Sequence, residues 1–408
     1  MLKSLGDPYF VAKFQRAFGL REIRLEKDIA SSVRDHKDSL SPASNGHFPD
    51  GDLAQSSHVH TDSSNHVFHR NSFNKAEPFE KIRSPGEEKP EQLYEFNSFF
   101  HTLFVFGSTL GYESFYLTFF PFMFWNIDEY LARRTVIMWA VIMYIGQGAK
   151  DVIQWPRPPC PPVISVEKRF QVEYGMPSTH AMVGTLIPFC LVYFTYDRYQ
   201  YPLYGGVLFG ICWCLLVSTS RLYVGMHTLQ DLLAGVAFAV VLLVTVLPLL
   251  DTAVDRWVFT SPNTPIFIVI VPLALIILYP SPPKYTQTKK DTATILFGTC
   301  GALLGSWLRF YMYGFPDPYL GAPYSIRIPG QKKIIQMLCK FVFGITVIVP
   351  IRAVMKSTVH TVLPWLLSET DPKNKKALCE LPHCFFTYTV VGFTATFLIP
   401  QAFIYFDV

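Results

Sequence analysis

The stretch SRLYVGMHTLQD, residues Ser220 to Asp231, joins two apolar segments of membrane-spanning length. These segments run from about Pro202 to Val217 and from about Thr228 to Leu250. An arginine, a histidine and an aspartate therefore stand at the edge of a hydrocarbon layer, where a charged side chain costs several kcal/mol unless another group compensates it. The stretch predicts a membrane protein with a polar site at one face of the bilayer.

The rest of the chain has the composition of a polytopic membrane protein. Of its 408 residues, 50% are hydrophobic and 16% are charged. Between Phe99 and Phe406, apolar stretches of about 15 to 25 residues recur, close to the ~20 residues that a helix needs to cross a bilayer. The first, Phe99 to Trp125, fits either one tilted helix or two partial ones. An all-α, multi-pass helix bundle in a lipid bilayer is the predicted fold.

The polar residues outside these stretches narrow the class further. The net charge is only +4 and the lysines and arginines are scattered, so a nucleic-acid partner is not expected. The eight cysteines show neither zinc spacing nor a disulfide framework. No signal-peptide pattern opens the chain, so insertion is expected to rely on the first spanning helix. Nothing in the composition predicts an oligomeric state.

The N-terminal region divides into two predicted segments. Residues 31–96 are rich in Ser, His, Asp, Asn, Pro and Lys, a composition that predicts a disordered polar tail. Within residues 1–30, Tyr9, Phe10, Phe14 and Phe18 recur at helical spacing, which suits an interfacial amphipathic helix. A segment that packs on the membrane domain, or a disordered one, fits equally well.

The segment KDVIQWPRP, Lys150 to Pro158, brings two cations close to a helix end. Pro156 and Pro158 are expected to end the helix, because proline lacks the N–H donor and restricts the residue before it. Arg157 then lies on a fixed, extended exit, where its planar fork suits two phosphate oxygens and Lys150 adds a mobile point charge. The structural alternative is an ordinary basic helix end at the lipid headgroups.

The tetrapeptide PSTH, Pro177 to His180, has the pattern of a helix start that binds an anion. Pro177 fits the turn before a helix and Ser178 can cap it, while the first backbone N–H groups point outward at the positive end of the helix dipole. His180 stands at the mouth of this helix and can donate a proton to a leaving oxygen. An N-cap followed by a packed histidine is the structural alternative.

His227 and Asp231 are predicted to share one face of a helix, because they are four residues apart. The carboxylate then accepts a hydrogen bond from one ring nitrogen and leaves the other as a lone pair. A neutral, oriented imidazole can attack phosphorus, and the carboxylate stabilises the cation that forms. Arg221, placed in the preceding loop, supplies another fork. The alternative is a His–Asp pair that merely satisfies itself at a helix start.

These three motifs are predicted to meet on one side of the membrane. The helix after PSTH leaves that face, and the next one, ending near Ser218, returns to it. Such an arrangement is needed only if the motifs form a single site. No acidic cluster with magnesium or zinc spacing accompanies them, so metal-independent phosphoryl transfer without a cofactor is predicted, with Lys150, Arg157 and Arg221 stabilising the transferred group. The distribution of lysines and arginines between the loops does not indicate on which side of the membrane the site lies.

The motifs resemble the signature of the type 2 phosphatidic acid phosphatase superfamily. They read K-x6-RP at Lys150 to Pro158, P-S-x-H at Pro177 to His180, and S-R-x5-H-x3-D at Ser220 to Asp231. Thr179 stands where many members carry glycine, and the WPRP, PSTH and SRLYVGMHT contexts together look like the sphingosine-1-phosphate phosphatases. The resemblance spans most of residues 99–408.

This resemblance implies a fold, a location and a reaction. The fold is a six-helix catalytic core at 97–280, followed by about three additional transmembrane helices at 281–408, in the endoplasmic reticulum membrane. The reaction is hydrolysis of sphingosine 1-phosphate and related long-chain base phosphates through a phosphohistidine. A broader lipid phosphate phosphatase, or a non-enzymatic anion transporter, is the alternative.

The resemblance also implies a role for each motif residue. His227 is the nucleophile, Asp231 orients it, and His180 protonates the leaving alkoxide and later activates water. The residues that hold the phosphate are Lys150, Arg157, Ser178, Thr179 and Arg221. With one histidine protonated and one neutral, activity is expected to be bell-shaped around the ~6.5 reference pKa of histidine.

Overall fold

The predicted helix bundle is confirmed by a computed structural model, which describes residues 5–22, 94–167, 173–250, 261–280, 287–314, 321–367 and 371–407. Most of the tail predicted at 31–96 lies outside the described residues. Its end is described, and strand β2, Tyr94–Glu95, pairs antiparallel with β1, Arg21–Glu22. A second pair of short strands, β3 at Tyr199–Gln200 and β4 at Tyr324–Ser325, is parallel.

Helices account for most of the described chain. In chain order they are α1, Pro8–Ala17; α2, Ser98–Thr109; α3, Glu113–Asn126; α4, Glu129–Ile153; α5, Thr179–Thr195; α6, Leu203–Tyr223; α7, Leu229–Leu249; α8, Thr264–Ile277; α9, Thr288–Tyr313; α10, Gln331–Leu366; α11, Pro372–Phe393; and α12, Ile399–Tyr405. A π-helical turn, Thr394–Leu398, joins the last two.

The described helices include six candidate membrane spans. By length and hydropathy these are α4, α6, α7, α9, α10 and the segment Cys379–Tyr405. Helices α5 and α8 are apolar as well but shorter, with 17 and 14 residues. The protein is therefore a multi-pass membrane protein.

The first apolar stretch, Phe99 to Trp125, forms two helices rather than one. Helix α2 ends at Thr109 and α3 starts at Glu113. Between them, a Cβ atom on Gly111 would lie 2.2 Å from Cδ2 of His180. The break thus lets the backbone pass directly against His180.

The core of the bundle lies around helix α5. Its buried residues Met182, Leu186 and Ile187 belong to the main apolar cluster, and α5 packs against α4, α6 and α7. Helix α9 covers α4 from the other side and pairs with α11. Asp151 near the end of α4 accepts hydrogen bonds from Tyr279 (3.0 Å) and Thr288 (2.5 Å), which joins α4 to the C-terminal helices.

Helix α1 packs on the membrane domain with one face. Val11 and Gln15 are buried, whereas Tyr9 and Phe10 are exposed. The Gln15 amide donates to the carbonyl oxygens of Ile164 (2.7 Å) and Tyr223 (2.9 Å) and accepts from the Ile164 N–H (3.0 Å). This helix therefore fixes the loop after α4 to the end of α6.

Gly225 is the residue that permits this loop to approach α6. Its φ is 75°, a left-handed conformation that costs other L-residues about 1–2 kcal/mol. A Cβ atom there would lie 2.2 Å from the Ile164 carbonyl oxygen. The chain between Arg221 and His227 can take its path only with glycine at this position.

The Gly225→Ala substitution is expected to destabilise the protein, because it adds both a strained φ and a backbone clash. The matched control is Gly298→Ala, since a Cβ on Gly298 meets nothing within 4 Å and alanine is favoured over glycine inside a helix by roughly 0.5–1 kcal/mol. Thermal unfolding of the detergent-solubilised proteins should give a lower Tm for Gly225→Ala and an unchanged or higher Tm for Gly298→Ala. Equal Tm values for the two variants would contradict the role of Gly225.

Candidate active site

The three sequence motifs open onto one cavity of about 630 Å³. Its wall contains the motif residues Lys150, Arg157, Thr179, His180, Arg221 and His227. The ends of α4 and α6 and the start of α5 therefore lie on the same face of the bundle. Ser178 and Asp231 are fully buried and stand behind this wall.

Lys150 and Arg157 reach the cavity from the end of α4. The helix ends at Ile153, as the WPRP pattern predicts, and Gln154 after it takes a left-handed conformation. Pro156 and Pro158 follow in a segment that is neither helix nor strand. Lys150, in the last turn, is only 2% exposed. Its ammonium group lies 3.2 Å from Oε2 of Glu173.

Each part of the Arg157 guanidinium faces a different partner. Nε donates to the carbonyl oxygen of Glu173, and Nη1 donates to that of Met226, both at 2.9 Å. Nη1 also lies 3.4 Å from Nε2 of His227. Burial lowers the pKa of Arg157 to about 10 against the attraction of Glu173, so the side chain is a fixed cation at neutral pH.

Arg221 lies on a helix, which corrects its predicted place in the loop. The apolar run stops near Val217, but helix α6 continues to Tyr223. The helix ends there because Gly225, two residues further on, takes a left-handed conformation. Nη1 of Arg221 donates to Ser108 Oγ at 2.6 Å and lies 3.3 Å from Oε2 of Glu167. Glu167 also accepts from Ser108 (2.9 Å) and from Tyr112, so Arg221 is held by a network of hydroxyls and a carboxylate.

The PSTH segment forms the predicted helix start. The Ser178 hydroxyl caps α5 by accepting from the Ala181 N–H at 3.4 Å, and the Ser178 N–H donates to the Asp231 carbonyl at 3.1 Å. Thr179 and His180 in the first turn face the cavity. Nε2 of His180 is buried, with no hydrogen-bond partner among the described residues, and the ring packs edge-on against Tyr112.

His227 and Asp231 do not share a helical face, and that prediction was wrong. Helix α7 starts only at Leu229, with Thr228 as its N-cap. Asp231 Oδ2 accepts from the Thr228 N–H at 2.7 Å in a capping box, and His227 Nδ1 lies 3.8 Å away from it. This distance exceeds a hydrogen bond, and the pair is ionic only when His227 is protonated.

The surroundings of His227 nevertheless fix its tautomer. A guanidinium has only donors, so Nε2, which faces Arg157, presents its lone pair. The proton then lies on Nδ1, on the side of Asp231. Burial and the nearby cations Arg157, Arg221 and Lys150 hold the pKa of His227 well below its ordinary value. His227 is therefore a neutral imidazole whose lone pair points into the cationic cavity.

Sequence reasoning missed the two glutamates that neutralise these cations. Glu167 and Glu173 are the only acidic residues between Arg157 and His180, and each contacts a motif cation. A charge count would have indicated them, because buried cations need anions nearby. Also missed were the cavity-lining residues of the C-terminal helices, Lys290, Asp291, Arg352 and Tyr388. Within the described part of the chain, no group of His, Cys, Asp or Glu has an arrangement that could hold a metal ion.

Comparison with known proteins gives one family for this chain. The family model of the PAP2 superfamily matches residues 130–255. Sphingosine-1-phosphate phosphatase 2 of Homo sapiens is 38% identical over 98% of this chain and 97% of its own length. Sphingosine-1-phosphate phosphatase 2 of Mus musculus is 42% identical over 79% and 91%, and sphingosine-1-phosphate phosphatase 1 of Rattus norvegicus 37% over 74% and 71%. No solved structure matches.

Together with these relatives, the helical membrane bundle and its cationic, histidine-containing cavity define an integral membrane phosphatase, a phosphoric monoester hydrolase. The chain belongs to the PAP2 superfamily and, within it, to the sphingosine-1-phosphate phosphatase family.

Arg157→Lys is expected to reduce phosphatase activity by at least about tenfold, because one ammonium group cannot replace donors that face three separate acceptors. The measurement is release of inorganic phosphate from a detergent-dispersed lipid phosphate. Arg352→Lys is the matched control: Arg352 lines the same cavity and donates to the Tyr388 hydroxyl at 3.3 Å, and its replacement should change the rate about twofold at most. Similar losses in both variants would show that the fork geometry of Arg157 is not required.

Proposed function

We propose that this protein hydrolyses sphingosine 1-phosphate and related long-chain base phosphates to the free base and inorganic phosphate. The reaction takes place in the endoplasmic reticulum membrane and proceeds through a phosphohistidine on His227, without a metal ion. The observation that carries the proposal is the His227 imidazole, which directs a lone pair at Nε2 toward Arg157 in a cavity with two further cations.

The first half-reaction transfers the phosphoryl group to the protein. Nε2 of His227 attacks phosphorus, the bond between phosphorus and the ester oxygen breaks, and the departing alkoxide takes a proton from His180. The imidazole becomes a cation with its remaining proton on Nδ1, and the carboxylate of Asp231, 3.8 Å away, stabilises it. His227 Nδ1 and Asp231 Oδ2 must still come closer to form a hydrogen bond, as expected for a contact that tightens only in the transition state.

The second half-reaction returns both histidines to their starting state. A water molecule gives a proton to His180 and attacks the phosphohistidine, and the bond between nitrogen and phosphorus breaks. His180 suits this exchange because its Nε2 is buried beside the cavity without a protein partner among the described residues. The negative charge of the bound phosphate favours the protonated form of His180 when the alkoxide departs.

The phosphate oxygens are held by the cations and by the start of α5. Lys150, Arg157 and Arg221 surround the position that the phosphoryl group takes, and their charge compensates the charge that builds up on its oxygens during transfer. Thr179 presents its backbone N–H in the first turn of α5, at the positive end of the helix dipole. Ser178 acts from behind, since its hydroxyl caps that helix.

The choice of substrate follows the relatives' names. Four relatives that align over 74% or more of the chain are sphingosine-1-phosphate phosphatases, whereas a lipid phosphate phosphatase delta of Arabidopsis thaliana is 28% identical over 61% of the chain. The apolar side chains of Leu117 and Met143 in the cavity wall suit a substrate whose headgroup continues into a hydrocarbon chain.

The test compares three phosphate esters on the purified, detergent-solubilised protein with a chelator present. Sphingosine 1-phosphate should be hydrolysed with the highest kcat/KM, ahead of lysophosphatidate, and glucose 6-phosphate should be hydrolysed least. His227→Ala should abolish turnover of all three, while the circular dichroism spectrum stays unchanged. Equal turnover of the two lipids would favour the broader lipid phosphate phosphatase, and activity that survives in His227→Ala would refute the phosphohistidine.

The pH profile should reflect the shifted pKa of His227. Because burial and the neighbouring cations lower that pKa, the imidazole stays neutral as the pH falls through about 6.5, the ordinary value for histidine. The acid limb of kcat/KM is therefore expected below about pH 6.5, rather than centred on it. The second ionisation of the substrate phosphate, near ~6, is located separately from its ³¹P chemical shift in the same detergent. An acid limb at or above pH 6.5 would contradict a neutral, cation-flanked His227.

A further inference from the structure

The anion position between two of the cavity cations is already occupied by a side chain of the protein. Oε2 of Glu173 lies 3.2 Å from the Lys150 ammonium group and 3.6 Å from Nη2 of Arg157. The Glu173 side chain is 11% exposed. A carboxylate thus stands where the proposed function places a phosphate.

Glu173 and the substrate phosphate cannot hold this position together. Two anions that share one site repel each other, and one of them must become neutral or leave. If Glu173 leaves, its carboxylate loses its side-chain partners, and a buried charge without a partner costs several kcal/mol. Substrate binding is therefore favourable only if the displaced carboxylate finds a new cation.

The second glutamate of the loop does not face this problem. Glu167 accepts hydrogen bonds from the hydroxyls of Ser108 and Tyr112 in addition to its contact with Arg221. It therefore stays satisfied even when Arg221 turns to a phosphate. Among the described residues, the Glu173 carboxylate has its ion pairs and hydrogen bond with cations alone, so it is the carboxylate that phosphate binding displaces.

A long-chain base phosphate brings the required cation with it. Its ammonium group sits on the carbon next to the one that carries the phosphate ester, so both charges enter the cavity together. We infer that Glu173 is a specificity-determining residue: the substrate phosphate takes its place on Lys150 and Arg157, and its carboxylate then binds the substrate ammonium group. This inference rests on the proposed function and adds to it the group that recognises the base.

The exchange explains how the cavity can reject other lipid phosphates. Lysophosphatidate has a hydroxyl group where the sphingoid base has an ammonium group, so it displaces Glu173 without supplying a countercharge. Leaving a buried charge unpaired with the wrong ligand is a recognised source of specificity. The preference for the base phosphate then comes from a penalty on its competitors as well as from a contact with the substrate.

The experiment measures kcat/KM for sphingosine 1-phosphate and for its N-acetyl derivative, which keeps the chain and the phosphate but loses the positive charge. The wild-type protein should prefer the charged substrate by at least about tenfold. In Glu173→Gln the preference should fall to about twofold or less, because the charged substrate loses its countercharge and the N-acetyl derivative no longer leaves a carboxylate unpaired. A preference that stays at the wild-type value would overturn the inference.

Matched variants separate Glu173 from the other acidic residues of the cavity. Glu167→Gln acts through Arg221 and should lower both rates in the same proportion, leaving the preference intact. Glu113 and Asp291 also line the cavity, and loss of the preference in Glu113→Gln or Asp291→Asn, with none in Glu173→Gln, would assign the ammonium group elsewhere and overturn the inference. If Glu173→Gln does not fold, Glu173→Ala replaces it, and an unchanged preference there likewise counts against Glu173.

Failure of the proposed function gives a different result. A wild-type protein that releases phosphate from lysophosphatidate but not from sphingosine 1-phosphate would refute the substrate assignment itself, and the role of Glu173 with it. A wild-type protein that prefers sphingosine 1-phosphate to its N-acetyl derivative, with an equal preference in Glu173→Gln, would leave the function standing and refute only the role of Glu173.

Discussion

Buried positive charge is the constraint on which the rest of the site depends. Lys150 and Arg221 are 2% and 1% exposed, and an uncompensated charge in such a place costs several kcal/mol. Glu173 and Glu167 supply the compensation from the single loop between α4 and α5. Electrostatics therefore requires Glu167 and Glu173 to reach separate cations at the helix ends before any substrate is bound.

Helix α1 and the end of α6 hold the loop between α4 and α5 in place. The Gln15 side chain of α1 binds the loop backbone at Ile164 and the end of α6 at Tyr223. Gly225 lets these two backbone segments come into contact. The N-terminal helix thus acts on the cavity indirectly, by fixing the loop that carries the carboxylates. An interfacial helix and a helix packed on the domain are compatible descriptions of α1, since its buried face meets the protein while Tyr9 and Phe10 remain exposed.

Local chemistry decides which parts of the site could be predicted from the sequence. Proline and N-cap rules correctly place the end of α4 before the WPRP segment and the start of α5 at Ser178, because those signals act within a few residues. The prediction that His227 lies on the same helix as Asp231 was wrong because it rested on their spacing alone. Thr228 and Asp231 form a T-x-x-D capping-box pattern in the sequence, which indicates that the helix starts after His227. The roles of Glu167 and Glu173 depend on tertiary proximity, which periodicity does not contain.

The cavity extends beyond the part of the chain that the superfamily model matches. The superfamily match covers residues 130–255 and contains the three motifs, but the cavity wall continues beyond it, to Gly111 and Tyr112 on one side and to Asp291 and Arg352 on the other. The similarity to the human relative, in contrast, extends over 98% of the chain. The residues proposed to hold the phosphate thus lie in the segment that the superfamily shares, and much of the remaining cavity wall lies outside it. Because Asp151 ties α4 to Tyr279 and Thr288, the C-terminal helices are held against the end of α4 and line the same cavity as the motif cations.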